Sequence, residues 1–255
     1  MLDAIRDKFR PTKSQPQLTD EVIGLSNPPY HVGIIMDGNG RWAKANNKTR
    51  FQGHRAGTEN LRRILTDSVD FGVGMLTIYA FSTENWTRPP KEVKGLMKIL
   101  EMVIDRELEE LHRNGVQLRH IGQLDRLDPT LQQKVLHAID YTKNNESLIV
   151  NIAFNYGGRN EIIEAVQRLI NDNVSSEAVT EALLSDYMYT AGSPDPDLII
   201  RTSGEFRTSN FLIWQAAYAE YYITPTYWPD FGREEYYQAL NEFCNRDRRY
   251  GGRNK

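Results

Sequence analysis

From Tyr30 onward, short apolar runs alternate with longer stretches in which apolar residues recur every three or four positions. The runs at 32–36 (VGIIM), 75–81 (MLTIYAF), 116–121 (VQLRHI), 148–154 (LIVNIAF), 198–202 (LIIRT) and 221–224 (YYIT) have the length and composition of strands. Between them, Leu61, Ile64, Leu65 and Val69 make one helical stripe. Val93, Leu96, Leu100, Val103, Ile104, Leu108 and Leu111 make a longer one. Leu131, Val135 and Ile139 mark a third helix, and Ile162, Ile163, Val166, Leu169 and Ile170 a fourth. Strand-helix alternation predicts an α/β fold: a single domain with a mostly parallel, six-stranded central sheet flanked by helices. No internal repeat, low-complexity segment or interior linker divides it. Residues 1–29 differ, with Pro11, Pro16, Pro28 and Pro29 and no sustained periodicity after Phe9. They read as a flexible N-terminal extension to a domain spanning 30–255. Leu2, Ile5 and Phe9 lie at helical spacing among basic residues, which fits a frayed terminal helix or a weak membrane-surface helix. Asp3, Asp7, Asp20 and Glu21 cancel the positive charge and favour the former.

In open parallel sheets, ligands bind beyond the carboxyl ends of the strands. The first strand ends in Asp37-Gly38-Asn39-Gly40-Arg41-Trp42. Two glycines bring backbone N–H groups close to an anion, and a carboxylate beside an anion makes sense when a divalent cation bridges them. The same run also fits an ordinary Asp-Gly turn. Arg50 and His54 follow at a spacing that puts both on one side of a helix. The second strand ends in Ser82-Thr83-Glu84-Asn85-Trp86-Thr87-Arg88, a dense polar run that is either a site loop or a helix-capping turn. Gly157-Gly158 after the fourth strand points first to close backbone packing, and to an anion contact second. The fifth strand leads into Arg201-Thr202-Ser203-Gly204-Glu205-Phe206-Arg207-Thr208-Ser209, which has the makings of a diphosphate cradle. Glu220 is a candidate second metal ligand facing Asp37. Two anion sites with two carboxylates in one cleft imply group transfer between phosphorylated substrates.

Composition sets limits on this picture. Across 255 residues the net charge is -3, which argues against nucleic acid as a partner. One cysteine, Cys244, excludes an internal disulfide and a cysteine zinc site. No run is long and apolar enough for a membrane span, so the chain is expected to be soluble and cytoplasmic. Arg outnumbers Lys by 21 to 10, and several of these arginines fall in the strand-end motifs.

The segments HVGIIMDGNGRWAK, FQGHRAGTENLRRIL, TIYAFSTENWTRP, NIAFNYGGRNEI, DLIIRTSGEFRTSNFLIWQAAYAE and RDRRYGG resemble the cis-prenyltransferases, in particular bacterial undecaprenyl or decaprenyl diphosphate synthases. The likeness runs from about Tyr30 to Gly252. It implies condensation of isopentenyl diphosphate onto an allylic diphosphate, usually farnesyl diphosphate, to give a Z-polyprenyl diphosphate of the carrier-lipid kind. It also implies Mg2+, a homodimer and an apolar tunnel between sheet and helices, for which part of the 93–111 stripe is available. Peripheral contact with the inner face of the membrane would suit a lipid product.

By position, the resemblance makes Asp37 the catalytic residue that engages Mg2+ and diphosphate. It assigns Gly38, Asn39, Gly40, Arg41, Arg50 and His54 to the allylic pocket, with Trp42 as a substrate-contacting aromatic. Asn85 matches a residue proposed to help remove the proton, although a neutral amide is a poor base and a diphosphate oxygen is a rival. Ser82, Thr83, Glu84, Trp86 and Arg88 belong to the surrounding substrate motif. Arg201, Arg207, Thr208 and Ser209 match the isopentenyl diphosphate site. On this reading, removing either arginine mainly raises KM for that substrate. Glu220 matches a metal-linked residue that also serves the dimer, and Arg249-Tyr250-Gly251 a motif that reaches a partner's site. Phe206 stands where some members carry a metal-associated His, and Phe cannot ligate. The rival readings are a non-catalytic partner subunit of the same fold and a phosphate-ester hydrolase on the same sheet.

Overall fold

A computed structural model describes residues 25–247. The predicted terminal helix around Leu2–Phe9 and the motif Arg249-Tyr250-Gly251 lie outside the described residues.

All six expected strands form, as β1 (His31–Ile35), β2 (Met75–Ser82), β3 (Val116–Ile121), β4 (Leu148–Tyr156), β5 (Leu198–Arg201) and β6 (Glu220–Ile223). They pair in parallel in the order β3-β4-β2-β1-β5-β6. The four expected stripes become α2 (Arg50–Asp70), α3 (Pro90–Arg113), α4 (Pro129–Thr142) and α5 (Gly158–Asn171). Among the described residues there are three shorter α-helices as well: α1 (Asn39–Ala45), α6 (Glu181–Asp186) and α7 (Arg233–Cys244).

Both faces of the sheet are covered, as near-continuous apolar strands require. Val32 and Ile34 of β1 pack on one face with Ile64 of α2, Ile78 of β2 and Tyr236 and Leu240 of α7. Ile35 turns to the other face, against Ile199, Phe211 and Leu212. Gly33 keeps that second face tight: a Cβ there would lie 2.5 Å from Ile199 Cδ1. α7 is held to α2 by Arg233, which pairs with Asp67 and, at 2.8 Å, with Asp70.

β1 begins one residue earlier than its apolar run because His31 is buried with its polar atoms satisfied. Nδ1 donates to the Pro194 carbonyl (2.7 Å), which leaves Nε2 to accept from Thr77 Oγ1 (2.7 Å). Asn151 Nδ2 in turn donates to Thr77 Oγ1 (3.0 Å). Burial lowers the pKa of His31 and favours this neutral form.

The order of the strands positions the site. From β1 the chain moves to β2 on one side; after β4 it crosses back to β5 on the other side of β1. The crevice beyond the carboxyl ends of β1 and β5 is therefore the topological switch point of the sheet.

Candidate active site

Asp37 lies two residues past β1, at that switch point. Gly38 follows with φ 107°, a left-handed turn that suits glycine, and a Cβ there would meet Tyr227 Cδ1 at 2.9 Å. The turn aims the Gly38 N–H at Asp37 Oδ1 (2.7 Å). From the neighbouring strand, Arg201 reaches across to Asp37 Oδ2 at 2.9 Å. Arg41, one turn into α1, approaches the same oxygen at 3.3 Å. Burial by itself would raise the Asp37 carboxyl. The hydrogen bond and charge of Arg201, then Arg41 and the Gly38 N–H, outweigh it and hold the carboxyl below its ordinary value. Asp37 is thus an anion at neutral pH, with a third of its side chain still open to solvent (32%).

Arg201 is only 4% exposed and organises the loop after β5 as well. Its Nη1 donates to the Arg207 carbonyl (2.5 Å) and to Ser209 Oγ (2.7 Å). Ser203 (φ 73°), Gly204 (φ 80°) and Ser209 (φ 49°) take left-handed conformations, so this loop curls back over the strand end. Arg41 clips it from the other side, donating to the Ser203 carbonyl (3.2 Å), to Ser203 Oγ and to Glu205 (3.2 Å). Arg207 is solvent-facing and pairs with Glu205 at 2.5 Å. Thr208 lies in the same loop, and its carbonyl accepts from the Phe211 N–H (3.1 Å). Phe206 is 86% exposed.

A cavity of about 430 Å³ opens beside Asp37, lined by Gly38, Asn39, Gly40, Arg41, Arg50, His54 and Arg88 among the predicted residues. Met36, Lys44 and Glu92 complete the wall. Glu92 gathers the guanidinium groups of Arg50 at 2.6 Å and Arg88 at 3.1 Å, with the His54 ring at 3.9 Å. Burial, then the charges of Arg88 and Arg50 opposed by that of Glu92, brings the His54 pKa down to about 4. His54 is therefore neutral at pH 7 before any anion arrives. Buried Asn39 Oδ1, His54 Nε2 and Arg201 Nε make no hydrogen bond within the protein.

The loop after β2 stands on the opposite bank. Asn85 Oδ1 accepts from the Ser82 N–H (3.2 Å), so its carbonyl is engaged in shaping the turn. Glu84 accepts from Asn210 Nδ2 (2.9 Å). Trp86 donates to Asn155 (2.7 Å) and packs edge-on against Phe81. Thr83 Oγ1 lies 2.7 Å from where a Cβ on Gly157 would be, and Gly158 similarly makes room for Ile213. The Gly-Gly pair therefore serves close packing. Trp42 is turned aside, donating to Asp230 (2.7 Å), and does not line the cavity.

One expected juxtaposition does not occur. Glu220 opens β6 in register with Leu198, and Leu198 pairs with Val32, so it lies at the amino end of the sheet, opposite Asp37. There it pairs with Arg246 at 2.8 Å. Within one chain Glu220 does not face Asp37, because in a parallel sheet a strand's first residue and its neighbour's last cannot meet. Among the described residues no group of three or more His, Cys, Asp or Glu side chains is gathered for a metal. Asp37 alone still suits Mg2+, which takes one or two carboxylates and fills its remaining positions with phosphate oxygens and water.

Lys44 and Glu92 were not singled out in the sequence as site residues, and Ser203, Glu205 and Asn210 were read only as members of the cradle run after β5. Glu92 carried a readable signal, four residues after Arg88 at the start of a helix. Asn210 closes the cradle run after β5, but its role could not be read there, because its three partners come from distant segments. It bonds Glu84, accepts from the Arg159 N–H (2.9 Å) and offers its carbonyl to the Gly158 N–H (2.8 Å).

A cation-rich pocket and a buried arginine share one carboxylate at the switch point of a parallel sheet, an arrangement that suits anionic ligands. The family described as "Putative undecaprenyl diphosphate synthase" matches residues 35–251. An isoprenyl transferase of Heliobacterium mobile is 49% identical over 245 residues, covering 94% of each chain. A ditrans,polycis-undecaprenyl-diphosphate synthase of Aliivibrio fischeri, named as specific for (2E,6E)-farnesyl diphosphate, is 42% identical over 92% of this chain and 94% of its own. The crystal structure of lavandulyl diphosphate synthase from Lavandula x intermedia, in complex with dimethylallyl diphosphate, superposes with a TM-score of 0.84 at 34% identity, covering 88% of this chain and 99% of that one. The chain belongs to this family of cis-prenyltransferases and is an enzyme that transfers prenyl groups.

The seating of α1 on α2 gives a test of the geometry. A Cβ on Gly53 would lie 2.2 Å from the Asn39 carbonyl oxygen, a backbone atom that moves only with α1. Gly53→Ala should therefore lower kcat/KM at least about tenfold by displacing Arg41, although alanine is the better helix former by about 1 kcal/mol. Steady-state kinetics checks this; wild-type values would mean that α1 does not depend on that contact.

Proposed function

We propose that this chain condenses isopentenyl diphosphate with an allylic diphosphate, farnesyl diphosphate being the primer, to make a Z-polyprenyl diphosphate of the carrier-lipid type. The observation that carries the reading is the course of α2 and α3. At their amino ends they present Arg50, His54 and Glu92 to the polar cavity. Further along, the same two helices line an apolar cavity of about 80 Å³ against the sheet, with Leu61, Leu65, Leu100 and Leu108 in its wall. A second apolar space of about 40 Å³ adjoins it, sharing Leu100, Ile104 and Leu118. A charged head and a hydrocarbon tail on one molecule suit that sequence of surfaces, and the apolar spaces are the start of the tunnel for the growing chain.

The allylic diphosphate is held by Gly38–Arg41, Lys44, Arg50, His54 and Arg88. Isopentenyl diphosphate is held by Arg201, Arg207, Thr208 and Ser209. In the step itself, a bond forms from C4 of isopentenyl diphosphate to C1 of the allylic substrate. The allylic C1–O bond breaks, and the diphosphate leaves with the electron pair. A proton is then lost from isopentenyl C2. Arg41 and its cationic neighbours stabilise charge developing on the leaving group, and holding two anions side by side is the other main task. Mg2+, when bound through Asp37, neutralises charge on the leaving diphosphate. The engaged Asn85 carbonyl makes the departing diphosphate the better proton acceptor, with Asn85 shaping the loop.

The enzyme acts as a homodimer, and Glu220, remote from Asp37 in its own chain, is left for the interface. Among the described residues no helix is long and apolar enough to cross a membrane. Peripheral contact with the bilayer for product release is part of the proposal, since the product is a lipid.

Arg207 separates the two substrates. It is exposed, and its guanidinium pairs with Glu205. Arg207→Ala is expected to raise KM for isopentenyl diphosphate about tenfold with little change in stability, the usual size of one lost charged contact. An effect confined to the allylic substrate would exchange the two sites. Chelation of Mg2+ should stop turnover and its return should restore it; activity that persists under chelation would remove the metal from the reading. Product formation by the purified chain alone separates this reading from that of a non-catalytic subunit.

A further inference from the structure

The run after β5 is held at its two ends by different parts of the sheet. Its first part is tied to the end of β1 through Arg41, Arg201 and Asp37. Its last residues are held from the far side of β1, where β2 and β4 lie. Tyr79 of β2 stacks on Phe211, with ring centres 4.6 Å apart, and donates to the Ser209 carbonyl (3.3 Å). Asn210 stands between those two contacts and makes three more. Its Nδ2 donates to Glu84 Oε1 in the loop after β2 (2.9 Å). Its Oδ1 accepts from the Arg159 N–H (2.9 Å) and its carbonyl from the Gly158 N–H (2.8 Å), both at the amino end of α5. Its φ of 66° is left-handed, which asparagine and aspartate adopt more readily than most residues.

The neighbours of this bond give it its importance. Ser209, next to Asn210, takes Arg201 Nη1 on its hydroxyl (2.7 Å). Asn85, next to Glu84, closes its turn on the Ser82 N–H (3.2 Å). The Asn210–Glu84 bond therefore links the cradle after β5 directly to the polar loop after β2. Misplacing reacting groups by about 1 Å can cost about a hundredfold in rate, so a bond that touches no substrate can still govern transfer.

We propose that Asn210 is a positioning residue: through its bond to Glu84 it holds the isopentenyl diphosphate cradle in register with the loop after β2, and so places that substrate for attack on the allylic carbon. This rests on the prenyl-elongation reading above.

The test is initial-rate kinetics, each substrate varied in turn, for the wild type, N210D, N210D/E84Q and N210D/E84A. Aspartate keeps the shape, the backbone preference and the acceptor for the Arg159 N–H, but sets a second carboxylate against Glu84. For N210D, kcat/KM for isopentenyl diphosphate should fall at least about tenfold, with KM for farnesyl diphosphate within about twofold of wild type. N210D/E84Q reverses donor and acceptor in the same bond at wild-type total charge, and should recover to within about threefold of wild type. N210D/E84A has that same charge without the bond and should stay low. Rescue by glutamine and not by alanine is a readout that neither a general loss of stability nor the added charge produces. No loss in N210D, a loss shared by farnesyl diphosphate, no rescue by glutamine, or equal rescue by alanine overturns the proposal. If thermal melting shows that N210D does not fold, E84A, which leaves the backbone bonds of Asn210 in place, is read instead. A loss for isopentenyl diphosphate alone then supports the proposal, and wild-type kinetics or a loss for both substrates overturns it. Failure of the wild type itself to elongate would instead overturn the functional reading.

Discussion

Asp37→Ala is expected to reduce turnover by at least about a thousandfold, the scale on which charge stabilisation at a reacting centre operates. Asp37 is the single carboxylate at the switch point between β1 and β5 that borders the cation-lined cavity and also touches the buried arginine. No neighbour can replace it: Glu92 is occupied by Arg50 and Arg88, and Glu205 by Arg41 and Arg207. The fold should survive. Arg201 keeps its bonds to the Arg207 carbonyl and Ser209, and the Asp37 carbonyl, which accepts from Thr202 Oγ1 (2.6 Å) and the Trp228 N–H (3.0 Å), is untouched. Circular dichroism and melting should match the wild type to within a few degrees while single-turnover transfer disappears. Turnover close to wild type would remove Asp37 from the chemistry.

Arg201→Met should impair both stability and catalysis, for a different reason. The guanidinium is buried and serves Asp37, the Arg207 carbonyl and Ser209 at once. Methionine fills part of the space but leaves those acceptors without their donor, at a cost of about 2–4 kcal/mol. That corresponds to a melting temperature lower by roughly 5–10 °C. Turnover should fall at least about a hundredfold, because the loop that holds the second diphosphate and the orientation of Asp37 are lost together. The pH profile adds a sign. Arg201 lowers the Asp37 pKa, so in the wild type the ionised form, with the stability it contributes, is lost only as pH falls through a value below the ordinary carboxylate range. Without Arg201 burial is less opposed, the pKa rises, and the acid limb of activity moves to higher pH. A change in KM for isopentenyl diphosphate alone, with turnover, melting and acid limb unmoved, would contradict this role.

That last outcome is what the sequence by itself suggests, and the difference shows where sequence reasoning stops. The apolar runs and stripes place six strands and three of the four helices to within a few residues, because burial on two faces of a parallel sheet imposes simple periods; the stripe from Leu61 marks only the second half of α2, which begins at Arg50. α1 escapes that logic, since only Ala43 in it is buried. α7 does not: Tyr236, Ala239, Leu240 and Phe243 carry a helical stripe that was there to be read.

The motifs DGNGR and RTSGEFRTS are legible as anion sites, and the order of the strands explains why they converge. What a linear reading misses is that one arginine belongs to both. The bond from Arg201 to Asp37 joins residues 164 positions apart and depends on β5 lying beside β1. Glu220 is the converse case. Its type and neighbourhood suggest a metal ligand, yet its place at the start of β6 puts it at the wrong end of its own sheet.

The most direct test of the account is to incubate the purified chain alone with farnesyl diphosphate, labelled isopentenyl diphosphate and Mg2+, and to determine the length and double-bond geometry of the product. The account predicts label incorporated into a polyprenyl diphosphate with Z geometry at each added unit, and one diphosphate released per unit added. Release of inorganic phosphate without elongation, or no product from the chain alone, would contradict it.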